Sequence, residues 1–183
     1  MKKVLMIAAM MVATLGASAQ NEVGQFTLQP KVGLNISTIT GDGTKSAVGL
    51  AAGVEAEYGV IEKLGITAGI LYSMQGYKVD GVDKKFCMDY INIPILAQYY
   101  VIPGLAVKAG VQPAFLVRAS YDGNSFSDAC NKFDFSIPVG VSYEYKSFVL
   151  DARYNFGLTK TAKNADKTKN SVFQITVGYK FPL

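Results

Sequence analysis

The chain holds 183 residues, half of them apolar and only 17% charged, which excludes a disordered chain and leaves room for one domain. It contains no histidine, so Ser–His–Asp or Cys–His catalysis, histidine metal ligation and a histidine pH switch are excluded. Two cysteines are too few for a four-thiolate metal site, and no cofactor or metal is expected.

Residues 1–19 read as a secretory signal peptide. Lys2 and Lys3 form a basic start, Val4 to Leu15 an apolar run, and Ala17-Ser18-Ala19 a small-residue cleavage site. The run is shorter than the ~20 residues a bilayer-spanning helix needs. Removing 19 of the 183 residues leaves 164, from Gln20 to Leu183, as one domain. The formal charge of +4 falls to +2 when Lys2 and Lys3 leave, so the basic balance is no argument for nucleic-acid binding.

Eight segments then alternate apolar and polar residues with period two, the pattern of a strand. They are 26–37, 47–60, 64–77, 89–100, 105–119, 132–145, 148–159 and 171–181. In the sixth, Phe133, Phe135, Ile137, Val139, Val141, Tyr143 and Tyr145 alternate with Asp134, Ser136, Gly140 and Glu144. Leu71, Leu96, Leu116 and Val149 break the rule by falling on the polar face.

The connectors alternate as well. Ile61–Lys63, Ile102–Gly104 and Lys146-Ser147 are short, whereas Thr38–Ser46, Lys78–Met88, Ser120–Asn131 and Lys160–Asn170 are long and polar. Parity demands an odd loop at the first two short connectors and an even one at the third, because a one-residue slip would turn every side chain over. Pro30, Pro94, Pro113 and Pro138 fall inside these segments and should mark bulges or strand ends.

An eight-stranded antiparallel barrel is either apolar inside, as in soluble lipocalins, or apolar outside, as in outer membranes. The polar face carries nine glycines, Gly33, Gly49, Gly53, Gly65, Gly69, Gly110, Gly140, Gly157 and Gly178, which suits a narrow interior better than a solvated exterior. The apolar face is nearly free of charge, as lipid contact requires. Tyr58, Tyr72, Tyr99, Tyr143, Tyr145 and Tyr179 lie toward strand ends, as an interfacial girdle would. The expected fold is all-β, an eight-stranded antiparallel up-and-down transmembrane barrel of the outer membrane, with periplasmic termini and long loops outside. A soluble lipocalin-like binding barrel is the remote alternative.

Several stretches carry a family resemblance. They are Lys31-Val32-Gly33-Leu34-Asn35, Leu71–Tyr77, Tyr90-Ile91-Asn92-Ile93-Pro94, Leu150–Thr159 and Gly178-Tyr179-Lys180-Phe181. The chain resembles the PorT-like outer-membrane β-barrel family over nearly all of its mature length. Asn92 stands where that family usually has Glu, and Pro182-Leu183 follow the terminal aromatic Phe181. The family is named for a protein linked to secretion, a role that fold similarity does not transfer.

The polar face also carries Lys31, Lys108, Arg118, Arg153 and Lys180 with Glu55, Glu57, Asp134, Glu144 and Asp151. Eight strands leave an interior just wide enough for side chains, so these ten are expected to form a structural, salt-bridged plug. A narrow charge-lined pore is the alternative. Cys87 and Cys130 lie near the ends of the second and third long loops, and a loop-to-loop disulfide is expected, with two separate thiols as the alternative. Lys160, Lys163, Lys167 and Lys169 face only Asp166 in the last loop, a solvated loop or a contact for lipopolysaccharide phosphates.

The functional expectation is a non-enzymatic barrel with no catalytic residues, whose outer loops meet surface partners. An accessory role in secretion or outer-membrane machinery is a further alternative. Outer-membrane lipid and lipopolysaccharide are the expected partners. No protein partner is identifiable, and none of nucleic-acid type is expected.

Overall fold

Period-two alternation makes one face of an extended chain uniformly apolar and the other polar, which a closed sheet can separate into outside and inside. The fold comes from a computed structural model, which describes residues 23–39, 44–79, 85–121, 124–125, 130–160 and 169–183. The signal-peptide stretch 1–19 and the middles of the long loops lie outside the described residues.

The strands are β1 (Phe26–Ile39), β2 (Thr44–Ile61), β3 (Leu64–Val79), β4 (Lys85–Asn92), β5 (Ile95–Ile102), β6 (Leu105–Tyr121), β7 (Asn124–Ser125), β8 (Phe133–Tyr145), β9 (Phe148–Gly157), β10 (Asn170–Tyr179) and β11 (Phe181–Pro182). β4 and β5 are one stave interrupted at Ile93-Pro94, and β10 and β11 are another interrupted at Lys180. β7 is a two-residue ladder on the outer end of β6. Eight antiparallel staves result. β1 pairs with β2 on one side and with β10 and β11 on the other, which closes the ring.

The first two tight turns meet the parity demand by an unexpected route. Glu62-Lys63 and Pro103-Gly104 are two-residue turns, and each is followed or preceded by a register shift, at Gly59/Ile61 and Tyr100/Ile102. The extra residue in each bulge restores odd parity. Val60 with Ile61, and Val101 with Ile102, are accordingly exposed as consecutive pairs. At the third turn Tyr145 pairs directly with Phe148, and Lys146 takes a positive φ of 56°.

The prolines follow a related logic. Pro94 sits in the break between β4 and β5, and Pro113 faces that break, where its carbonyl accepts from Ile93 N–H at 2.9 Å. Pro30 and Pro138 lie within unbroken strands with no register shift, contrary to the expectation of bulges or strand ends. Their missing donors fall where one ladder lapses: β1 opposite the β10–β11 interruption, and β8 opposite Gly110–Val111 of β6.

The wall is apolar on the outside. Val32 is 58% and Ile70 61% exposed, while Lys31 beside Val32 is only 4% exposed. Tyr58, Tyr99, Tyr143, Tyr145 and Phe148 ring the turn end on the outer surface. Tyr179 belongs to the same band but is covered by Phe148 and Phe181, at ring-centroid distances of 5.2 and 4.7 Å. Leu71, Leu96 and Val149 are buried inside, so the breaks in alternation are lumen residues.

Two glycines show how sequence makes room for charge. A Cβ on Gly69 would stand 2.5 Å from Glu55 Cγ, and one on Gly140 would stand 2.7 Å from Arg153 Cβ. Glu55 and Arg153 therefore lie flat over glycine-bared wall.

Candidate functional site

The barrel interior is the place where chemistry-bearing side chains converge. Inward parity along β1, β2, β6, β8 and β9, and at Lys180 between β10 and β11, sends them there, and nine of the ten expected lumen charges are buried. Eight of the nine sort into two ion-pair clusters, and Asp134 stands apart.

The first cluster lies mid-barrel. Arg153 donates from Nη1 and Nη2 to Glu55 Oε1 and Oε2, at 2.8 and 3.2 Å. Its Nε and Nη2 also donate to Asp151 Oδ1 and Oδ2, at 2.7 and 2.8 Å. Lys31 Nζ bonds Glu55 Oε2 at 2.7 Å and reaches Asp151 Oδ2 at 3.5 Å. Lys108 Nζ bonds Asp151 Oδ2 at 2.7 Å. Three cations thus meet two carboxylates.

The second cluster lies at the turn end. Lys180 Nζ sits 2.9 Å from Glu57 Oε2 and 2.7 Å from Glu144 Oε2. The Tyr100 hydroxyl donates to Glu57 Oε1 at 2.8 Å and accepts from Lys180 Nζ at 3.0 Å. It also accepts from Gln98 Nε2 at 2.5 Å. One cation here meets two carboxylates. The excess positive charge of the middle cluster and the excess negative charge of this one cancel, which lets a desolvated lumen hold both.

Toward the loop end the polarity fades. Asn35 Nδ2 donates to Ser73 Oγ at 3.0 Å, and Gln174 Nε2 donates to Asn35 Oδ1 at 3.0 Å. Asp134 is held by hydrogen bonds, from the Thr159 hydroxyl and from Asn170 Nδ2 at 3.1 Å. Above them Ile39, Met88, Tyr90, Ala114, Ala119 and Cys130 form a buried apolar cap, with Tyr77 and Leu116 against it. Three rings, Tyr77, Phe86 and Tyr121, stack beside the cap at centroid distances of 4.7 and 4.2 Å.

Two expectations are corrected. Arg118 is not in the lumen. β6 carries one extra residue opposite Asp89/Tyr90, a bulge that shifts pairing from Leu116 to Arg118 and skips Val117. Parity inverts there, so Ala119 turns inward and Arg118 is exposed on the outer wall. Cys87 and Cys130 are not joined but stand as separate thiols. Cys130 is buried in the inner cap, whereas Cys87 pairs in register with Gly76 and Ser120 on the outward side of β4.

Alternation also places residues that were not singled out. Tyr100 follows outward Tyr99, so it points inward. Asp89 shares the outward parity of Ile91, which sets a carboxylate on the lipid-facing wall. No charge pattern in the sequence signals either role. Residues 163, 164, 166 and 167 of the basic last loop lie outside the described residues, while Lys160 and Lys169 at its ends are exposed.

No helix among the described residues is long and apolar enough to cross a membrane, and the barrel crosses with strands instead. The outer membrane protein beta-barrel domain matches residues 18–163. No curated protein matches the chain. Among solved structures, Ail of Yersinia pestis with the heparin analogue sucrose octasulfate is similar at 15% identity and a TM-score of 0.59, covering 87% of this chain and 100% of that one. OprG of Pseudomonas aeruginosa is similar at 17% identity and a TM-score of 0.54, covering 90% of this chain and 99% of that one. Neisserial surface protein A is similar at 18% identity and a TM-score of 0.54, covering 85% and 97%. These likenesses concern the fold. The protein is an outer-membrane barrel, and its place is the bacterial outer membrane. The chain belongs to the family of the outer membrane protein beta-barrel domain.

Proposed function

We propose that this barrel is a non-enzymatic surface protein whose lumen is a solid, charge-paired plug and whose outer rim and loops meet partners at the cell surface. One observation carries the reading. Arg153 is 2% exposed, yet all its donors to Glu55 and Asp151 are used inside the lumen. Such a network holds side chains across the bore and leaves no bare charge to lead a solute through. The apolar cap around Met88 and Tyr90 closes the loop end in addition.

The chain reads as a PorT-like member of its family, exported by a signal peptide over residues 1–19. Its expected partners are outer-membrane lipid and lipopolysaccharide. The sulfated saccharide on Ail and the exposed Lys45, Lys78, Lys132, Lys160 and Lys169 of this chain support an anionic ligand at the outer end. Planar-bilayer recording of the purified barrel tests the plug. No stable conductance is expected, and reproducible single-channel steps would overturn it in favour of a narrow pore.

A further inference from the structure

Between the strand ends, the described outer wall bears two charged residues, Asp89 and Arg118. They stand directly opposite each other in the β4–β6 ladder, beside the bulge at Val117. Asp89 is only 2% exposed although it lies on the lipid-facing side. The Tyr72 hydroxyl donates to its Oδ2 at 2.8 Å, and its Oδ1 has no hydrogen-bond partner among the described residues. Arg118 is exposed, and its side chain forms no hydrogen bond or ion pair among the described residues.

Height in the membrane makes the pair informative. A barrel strand tilted by ~40° climbs about 2.5 Å per residue. Val107 to Val117 on β6 therefore spans roughly 25 Å, the full apolar band of an outer-membrane barrel. Arg118 comes next, at head-group level on the side of the long loops. Lys45 and Lys78, paired in the β2–β3 ladder, are exposed near the same end and add positive field.

An exposed guanidinium fixed beside a buried carboxylate, with lysines adding positive field at the same end, is complementary to a phosphate. In the outer leaflet that chemistry is offered by the phosphorylated glucosamine of lipopolysaccharide. We propose that Arg118, Asp89 and Tyr72 form a head-group site for it. Arg118 binds the phosphate, and the buried Asp89 carboxylate, held by the Tyr72 hydroxyl, stands directly opposite Arg118 in the ladder and positions it. The site rests on the reading of the long loops as external.

The test is native mass spectrometry of the mature barrel in detergent with three probes: bisphosphorylated lipid A, the same lipid dephosphorylated, and phosphatidylglycerol. The parent should bind the bisphosphorylated form preferentially. Arg118→Gln should weaken that binding about tenfold, the loss of a charge-assisted contact. Arg118→Lys should retain part of it, and Lys63→Gln, in the tight turn at the opposite end of the barrel, should leave it unchanged. Equal binding by Arg118→Gln and the parent would overturn the site. So would equal binding of phosphatidylglycerol or of dephosphorylated lipid. Each variant is checked for a heat-modifiable gel shift. Loss of that shift in the parent would count against the barrel itself, whereas failed binding with the shift intact counts against the site alone.

Discussion

Arg153 on β9 grips Glu55 on β2 through two hydrogen bonds of 2.8 and 3.2 Å, across the bore and 98 residues apart in sequence. The same guanidinium holds Asp151, so one side chain joins two carboxylates on two walls. Breaking it should cost more than its net contribution to the intact network, because two buried carboxylates lose four donated bonds at once.

Arg153→Met should therefore destabilise the barrel by about 3–5 kcal/mol. Urea unfolding in detergent, followed by tryptophan-free far-UV signal or by the heat-modifiable gel band, reads this. The double variant with Glu55→Gln should lose less than the sum of the two singles, since their shared contact is broken only once. A double variant as unstable as the sum of the singles would show that the two residues are not coupled.

Tyr100→Phe isolates the turn-end cluster. It deletes a hydroxyl that serves Glu57, Lys180 and Gln98 together. The ion pairs of Lys180 with Glu57 and Glu144 remain, so a loss of about 1–3 kcal/mol is expected rather than collapse. Lys180→Met, which leaves Glu57 and Glu144 facing each other without their cation, should cost more in the same unfolding measurement.

Gly140→Val and Gly69→Val should hinder assembly itself. Each places branched carbon where Arg153 or Glu55 crosses the wall, at a Cβ separation that real structures do not tolerate. Alanine at either site should cost about 1–3 kcal/mol as an overpacked position. The fraction of heat-modifiable band on an unheated gel, after refolding into detergent, measures both. Wild-type folding yield for Gly140→Val would contradict the packing described.

The cysteines should titrate as two thiols without reductant. Cys87, half-buried on the outward side, should label faster than Cys130 inside the cap, and denaturation should make the two equal. Intact-mass measurement of the labelled chain counts the adducts. A mass lower by two hydrogens with no labelling would restore the loop-to-loop disulfide.

Eight strands, three tight turns and the inward placing of Lys31, Glu55, Glu57, Lys108, Glu144, Asp151, Arg153 and Lys180 were all legible in the sequence. The reason is that strand parity is local: with period two, each residue's face follows from its neighbours and from the length of the turn before it. The tertiary structure alone decided the partners. Lys108 meets Asp151, and Arg153 meets Glu55, only because ring closure sets how far each stave is sheared along the next, a quantity no local pattern contains. It also decided Arg118. One extra residue in β6 inverts parity beyond Val117, and only the count of residues on the paired strand β4 reveals that extra residue. A charge that local alternation assigns to the lumen thereby stands on the outer wall.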